Sequence, residues 1–308
     1  MKSLIQAPPR SMVALITPFK PNGRVDYKGY QRLVEFQLEQ GIDGLVLLGT
    51  TAETPNLEKH EQRKLVTDAF KWVNGRIPIV VGTGSSSHKH TIYDTNWAYD
   101  SGAYAVMVVT PYYIKPNDSG LMRHFESVAG VGARVIVYNI AGRAVVNITT
   151  PQMQRIAKFP NIIGVKEASG NLIQQTEVIN TISKPSMGTD QPFYVWSGDD
   201  GSILPVMRAG GYGGISVAGN AIPGEIKRLT DSCAAGDFAL AQQIHDEWSE
   251  FFKLEFIESN PVPIKRIAAN LGLIKCADVR LPLGPLSAGN VAILDEFTNR
   301  IRHKVMAA

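Results

Sequence analysis

The residue best suited to covalent chemistry in this chain of 308 residues is Lys166. It follows Ile162, Ile163 and Val165, at the end of a strongly apolar run. Desolvation among such side chains disfavours the ammonium, and a neutral amine there can attack a ketone and form an imine. The competing reading leaves Lys166 beyond its strand, paired to Glu167 or reaching for water. Tyr138 closes another apolar run, Val135-Ile136-Val137, where it could transfer protons or be a core tyrosine with a satisfied hydroxyl. Thr50 and Thr51 could hold a carboxylate through hydroxyls and backbone amides, or form a plain strand-to-helix turn. Arg143, in the loop after Tyr138, could clamp a second carboxylate through paired hydrogen bonds, or be solvated. His88 and His90 share an H-x-H spacing, but no carboxylate or third histidine stands close by in sequence, which argues against a metal.

These groups need elements to bring them together. Eight short runs rich in β-branched residues begin near Val13, Gly44, Pro78, Ala103, Ala133, Asn161, Tyr194 and Gly213. They are continuous rather than alternating, as strands buried on both faces of a parallel sheet should be. From Val13 to Gly213 the spacing averages roughly 29 residues, near the length of one strand-helix repeat. Helical text lies between them. Asp26 is placed to cap a helix carrying Tyr30, Leu33, Val34 and Leu38 and closed by Gly41, and Val66, Ala69, Phe70 and Val73 precede Gly75. The pattern predicts an α/β fold, a closed (β/α)8 barrel over 1–230, followed by a helical domain over 231–308 in which Leu240, Ile244, Trp248, Phe251 and Phe252 share a face. An open doubly wound sheet is the runner-up. GGYGGIS lacks the last glycine of a dinucleotide fingerprint, however, and GTGSSSHKH lacks the ending of a phosphate-binding loop. In a barrel, chemistry gathers at the carboxyl ends of the strands, which here carry Thr17, Thr50-Thr51, Thr83, Tyr112-Tyr113, Tyr138-Asn139, Lys166-Glu167, Ser197-Gly198-Asp199 and Ser216.

Composition narrows the function further. Hydrophobic residues make up 44% of the chain and charged residues 19%, enough for a large core and unlike a disordered chain. A net charge of +3 without a basic run argues against nucleic acid as a partner. No apolar stretch is long enough to span a membrane, and MKSLIQAPPR does not read as a signal peptide. Cys233 and Cys276 are far apart, as expected for free thiols in a reducing cytoplasm.

Six segments, in order and nearly end to end, resemble the dihydrodipicolinate synthase family within the pyruvate-dependent class I aldolases. They are LGTTAETPNL, VTPYY, VYNIAGR, IIGVKEASGN, SGDDGSILPVMRAGGYGGISVAGN and NPVPIKRIAANLGL. The resemblance implies that Lys166 forms an imine with pyruvate. Tyr138 would relay protons with Thr50 and with Tyr113 from a neighbouring subunit. Thr51 would hold the pyruvate carboxylate, Arg143 the carboxylate of aspartate 4-semialdehyde, and Gly198 and Ile215 would line the pocket. It further implies a homotetramer built as a dimer of dimers, and no metal or organic cofactor. Two rivals share the pocket: a sibling aldolase acting on N-acetylneuraminate or 2-keto-3-deoxy acids, and a non-catalytic paralogue that only binds a keto acid.

Three positions depart from the family pattern. Ala52 stands where glycine is usual, which would add strain if the position needs a positive φ. Ala141 replaces a proline, an exchange expected to loosen the loop that aims Arg143, and Ala144 replaces threonine. His90 and Lys59 occupy positions where lysine-inhibited members have glutamate and histidine. A cation cannot accept from the inhibitor's ammonium, so feedback by lysine is expected to be weak or absent.

Overall fold

The computed structural model describes residues 7–307; residues 1–6, on which the signal-peptide reading partly rests, lie outside them. Each apolar run forms a short strand: β1 (Ser11–Ala14), β2 (Gly44–Leu47), β3 (Ile79–Gly82), β4 (Ala105–Val109), β5 (Val135–Asn139), β6 (Ile162–Glu167), β7 (Tyr194–Ser197) and β8 (Gly213–Ser216). They pair in parallel and in chain order, and β8 returns to β1 to close the barrel. The open sheet is thereby excluded. β1 starts two residues before Val13 because Ser11 is tied in by its amide and hydroxyl, both donating to Asp43 Oδ2.

The connections carry α1 (Tyr27–Glu39), α2 (Lys59–Val73), α3 (His88–Asp100), α4 (Asp118–Ala129), the single turn α5 (Ala141–Ala144) and α6 (Thr150–Ile156). α7 (Leu172–Val178) runs on through a π turn into α8 (Lys184–Ser186), and α9 (Ile203–Arg208) and α10 (Pro223–Ala234) complete the ring. α11 (Phe238–Leu254), α12 (Val262–Asn270) and α13 (Ala288–Ala307) follow. The boundary expected at 230/231 falls inside α10.

Local end signals held in part. Gly41 closes α1 with φ 74, whereas α2 stops one residue early, at Asn74 with φ 47. Asp26 sits at the start of α1, but its side chain caps nothing; its backbone carbonyl accepts from Tyr30 instead. On α11, Ala241 takes the buried place expected for Leu240, which is exposed.

Strand side chains alternate between two layers. Met12, Ala14, Val46, Val80, Met107, Ile136, Tyr138, Trp196 and Ile215 fill the barrel interior. Val13, Leu45, Val81, Val106, Val137 and Val195 face the helices. β6 breaks this alternation. Ile162 packs outward and Ile163 inward, so strict alternation would send Lys166 out to the helices. The register shifts here, because Val135 pairs with Ile162 while Ile136 pairs with Gly164. The extra residue turns Val165 outward and Lys166 inward, between Tyr138 and Trp196 of the neighbouring strands. Only glycine fits the bulge: a Cβ on Gly164 would lie 2.1 Å from the Tyr194 carbonyl oxygen and 2.8 Å from the Trp196 ring.

Candidate active site at the carboxyl end of the barrel

Lys166 is 4% exposed, and its Nζ lies 4.4 Å from the centroid of the Tyr138 ring. Among the described residues no carboxylate pairs with it. The rival pairing with Glu167 is absent because Glu167, next along the strand, points to the other face. There it accepts from Asn139 Nδ2 at 2.9 Å and from the Ser169 amide at 2.8 Å. Burial pushes the Glu167 carboxyl above its usual range, against the pull of these donors. Asn139 also accepts from the Ile148 amide, so the same network anchors the chain that follows α5.

Gly198 approaches this lysine closely. A Cβ there would come within 3.0 Å of Lys166 Cε and 2.7 Å of the Ala168 methyl, so glycine leaves the amine its room. Ile215 is fully buried in the interior layer below.

Above the barrel opens a cavity of about 330 Å³ whose wall includes Thr50, Tyr138, Tyr112, Arg143 and Met107. Lys166 is not part of that wall; the Tyr138 ring stands beside it. Thr51 is buried in the turn after β2, and its hydroxyl accepts from Asn260 Nδ2 at 2.9 Å. Arg143, on α5, donates through Nη2 to the Asn260 carbonyl at 3.1 Å. Asn260 therefore ties together the two residues expected to hold carboxylates. Sequence reasoning missed it. It lies within NPVPIKRIAANLGL, but nothing in its spacing says that a residue beyond the last strand reaches the turn after the second.

A second link crosses the same distance. Glu53, with φ 57, carries the turn's left-handed conformation, and Ala52 does not. The strain expected at Ala52 is therefore absent. Glu53 Oε1 accepts from Lys265 on α12, and Oε2 accepts from the Arg280 amide at 2.9 Å. Arg280 also pairs with Glu61, through distances of 2.6 and 2.7 Å. The helical segment thus holds the Thr50-Thr51 turn in place from outside the barrel.

Two sequence candidates lie elsewhere. Tyr113 is 90% exposed with φ 71 and does not reach the site of its own protomer. His88 turns toward His124, their Nδ1 atoms 3.0 Å apart, while His90 lines the outer end of the cavity with Lys59. Among the described residues no three histidine, cysteine or acidic side chains gather to hold a metal. Lys59 is occupied by Asp94 at 2.8 Å. Nor is any helix there long and apolar enough to cross a membrane.

A closed parallel barrel with a buried lysine free of any ion pair at its carboxyl end is an architecture that suits imine chemistry. Comparison narrows the class. Residues 7–298 match the Dihydrodipicolinate synthetase family, and the chain belongs to it. It is 40% identical to the 4-hydroxy-tetrahydrodipicolinate synthase of Protochlamydia amoebophila over 94% of this chain and 95% of that protein. The protein of the same name from Chloroherpeton thalassium is 42% identical, with 92% of each chain covered. Among solved structures, dihydrodipicolinate synthase from Aquifex aeolicus superimposes with a TM-score of 0.90 at 37% identity, covering 96% of this chain and 98% of that one. The Thermotoga maritima enzyme gives 0.91 at 34%, covering 97% and 99%.

Proposed function

We propose that this protein condenses pyruvate with aspartate 4-semialdehyde to give 4-hydroxy-tetrahydrodipicolinate, through an imine on Lys166. One observation carries the proposal: a buried amine without a counter-ion, held against Tyr138 on the inner face of the barrel. Structural lysines at such depth are paired, because an unpaired buried charge costs several kcal/mol, on the order of 3–5. The relatives' shared name supports the choice of substrates.

The chemistry follows from the imine. The Lys166 amine adds to the pyruvate ketone, and the carbinolamine loses water. The protonated imine then accepts the electron pair left when a methyl proton departs, giving an enamine. Its carbon attacks the aldehyde, whose oxygen takes up a proton. The amine of the second substrate closes onto the imine carbon and expels Lys166. Tyr138, with Thr50 and the partner subunit's Tyr113, relays the protons. Thr51 and the backbone at Gly198 and Ile215 hold pyruvate, and Arg143 receives the second carboxylate. The imine is itself the electron sink, so the scheme uses no metal or organic cofactor.

The same proposal makes the barrel the catalytic body and the helices from 231 onward its brace. The assembly would be a homotetramer built as a dimer of dimers, in which a neighbouring subunit supplies the exposed Tyr113, and its place of work the cytoplasm.

Borohydride reduction in the presence of pyruvate, followed by peptide mass spectrometry, tests the reading. An adduct on Lys166 is expected, and tight pyruvate binding without an adduct would point to a non-catalytic paralogue. Turnover of pyruvate only with sugar aldehydes would move the protein to the sibling aldolases. With Lys59 and His90 at the outer cavity, sub-millimolar lysine is expected to leave turnover unchanged.

A further inference from the structure

Where the end of α11 packs on the turn after β7, two acidic side chains are buried in the core. Asp200, in the turn after β7, and Glu255, at the end of α11, are both 0% exposed. Asp200 Oδ2 accepts from the Val217 and Ala218 amides at 2.8 and 3.1 Å, which ties the turn after β7 to the end of β8. Asp200 Oδ1 and both oxygens of Glu255 have no donor among the described residues. Two such groups cannot both be charged without a cation, and a hydrogen bond between them exists only if one is protonated. Both amide donors serve Asp200 and none serves Glu255, so Glu255 is the member placed to keep a proton.

The surroundings supply no alternative. Asp199 is the third acidic group acting on the pair, and its sign is the same. On α12, Lys265 and Arg266 are engaged with Glu53 and Asp295, and Arg208 of α9 donates to the Phe238 carbonyl at the far end of α11. Burial together with Asp200 raises the Glu255 carboxyl well above its ordinary range. The sequence carries no sign of this, since KLEFIE reads as the polar end of a helix.

We propose that Glu255 is a positioning residue for the keto-acid site: as a neutral acid it donates to Asp200 and clasps the β7 and β8 turns, with Gly198 and Ile215, against α11. This rests on the pyruvate reading above, and the test separates the two. Folded Glu255 keeps a proton that the unfolded chain releases near the ordinary glutamate value. The clasp's contribution is therefore complete below that value and is lost as pH rises toward the raised one. Over that window the folding equilibrium constant of wild type weakens by up to about tenfold per pH unit relative to Glu255→Gln, whose amide donates at every pH.

Thermal unfolding of the full chain across pH, for wild type and Glu255→Gln, reads the clasp without substrate. KM and kcat for pyruvate across the same range read its consequence. The gap between the two melting curves should widen with pH. The KM of wild type should stay flat over that window and rise about severalfold only as pH passes the raised Glu255 value, where the folded protein loses the proton, while that of Glu255→Gln stays flat throughout, kcat moving little in either. Glu255→Leu, which keeps the packing and removes the donor, should raise KM at all pH values. Parallel melting curves, or a wild-type KM in Glu255→Leu, would overturn the proposal. A widening gap with no Lys166–pyruvate adduct in wild type would leave the clasp standing and overturn its pyruvate role.

Discussion

Two lysines are buried among the described residues, and their surroundings could hardly differ more. Lys265 is 0% exposed, donates to Glu53 at 2.5 Å and to the Asp278 carbonyl at 2.8 Å, and lies 4.0 Å from the Phe19 ring centroid. Lys166 is 4% exposed and has an aromatic ring beside it, but neither carboxylate nor carbonyl. Burial pulls the Lys265 ammonium down to about 8 even with Glu53 beside it. One cation is compensated and holds two segments together. The other has no ion-pair partner among the described residues, so no carboxylate holds its amine. The difference teaches that burial alone does not single out a lysine for the proposed chemistry; the absence of a counter-ion separates Lys166 from Lys265.

The sharpest way to break this comparison is to remove each lysine in turn. Lys166→Met should abolish both adduct formation and turnover, while its melting temperature is unchanged or higher, because a buried charge without a partner has gone. A clear loss of stability would show that Lys166 is paired in solution. Lys265→Met should do the reverse. It strands Glu53 in the core and should cost about 3–5 kcal/mol in denaturant unfolding, with the adduct still forming on the folded fraction.

Two smaller changes probe how each region is aimed. Gly164→Ala places a methyl 2.1 Å from the Tyr194 carbonyl, so the bulge must shift. Destabilisation of about 1–3 kcal/mol is expected, together with slower adduct formation, which rapid-quench mass spectrometry would measure. Ala141→Pro should act weakly and in the opposite direction. Ala141 opens α5, and Ile140 before it has φ −141 and ψ 80, outside the helical region that a following proline disfavours. A gain of about 0.4–1 kcal/mol in unfolding free energy is expected; a loss would mean that the turn relies on the Ala141 amide.

Much of this was legible in the residue order. Eight apolar runs at a regular spacing require a parallel sheet covered by helices, and the strand ends announce where polar groups collect. Lys166, Tyr138 and Thr50 could be named because each stands at the end of an apolar run, and Arg143 because it lies in the loop after Tyr138. Asn260, Glu255 and the Glu53–Lys265 pair could not. Their partners lie 209, 55 and 212 residues away, and no local pattern encodes a contact at that range.

The sequence by itself determined the strand-helix repeat and named the candidate reacting groups, because these follow from hydrophobic order and from side-chain chemistry along the chain; closure of the barrel was settled by the pairing of β8 with β1. Only the tertiary structure decided which way Lys166 points. A single extra residue at Gly164 reverses the side of every side chain beyond it, and that register exists only once β5, β6 and β7 have paired. It also decided which buried charges are matched, since a charge and its partner meet only after the helices beyond the barrel have closed over the turns.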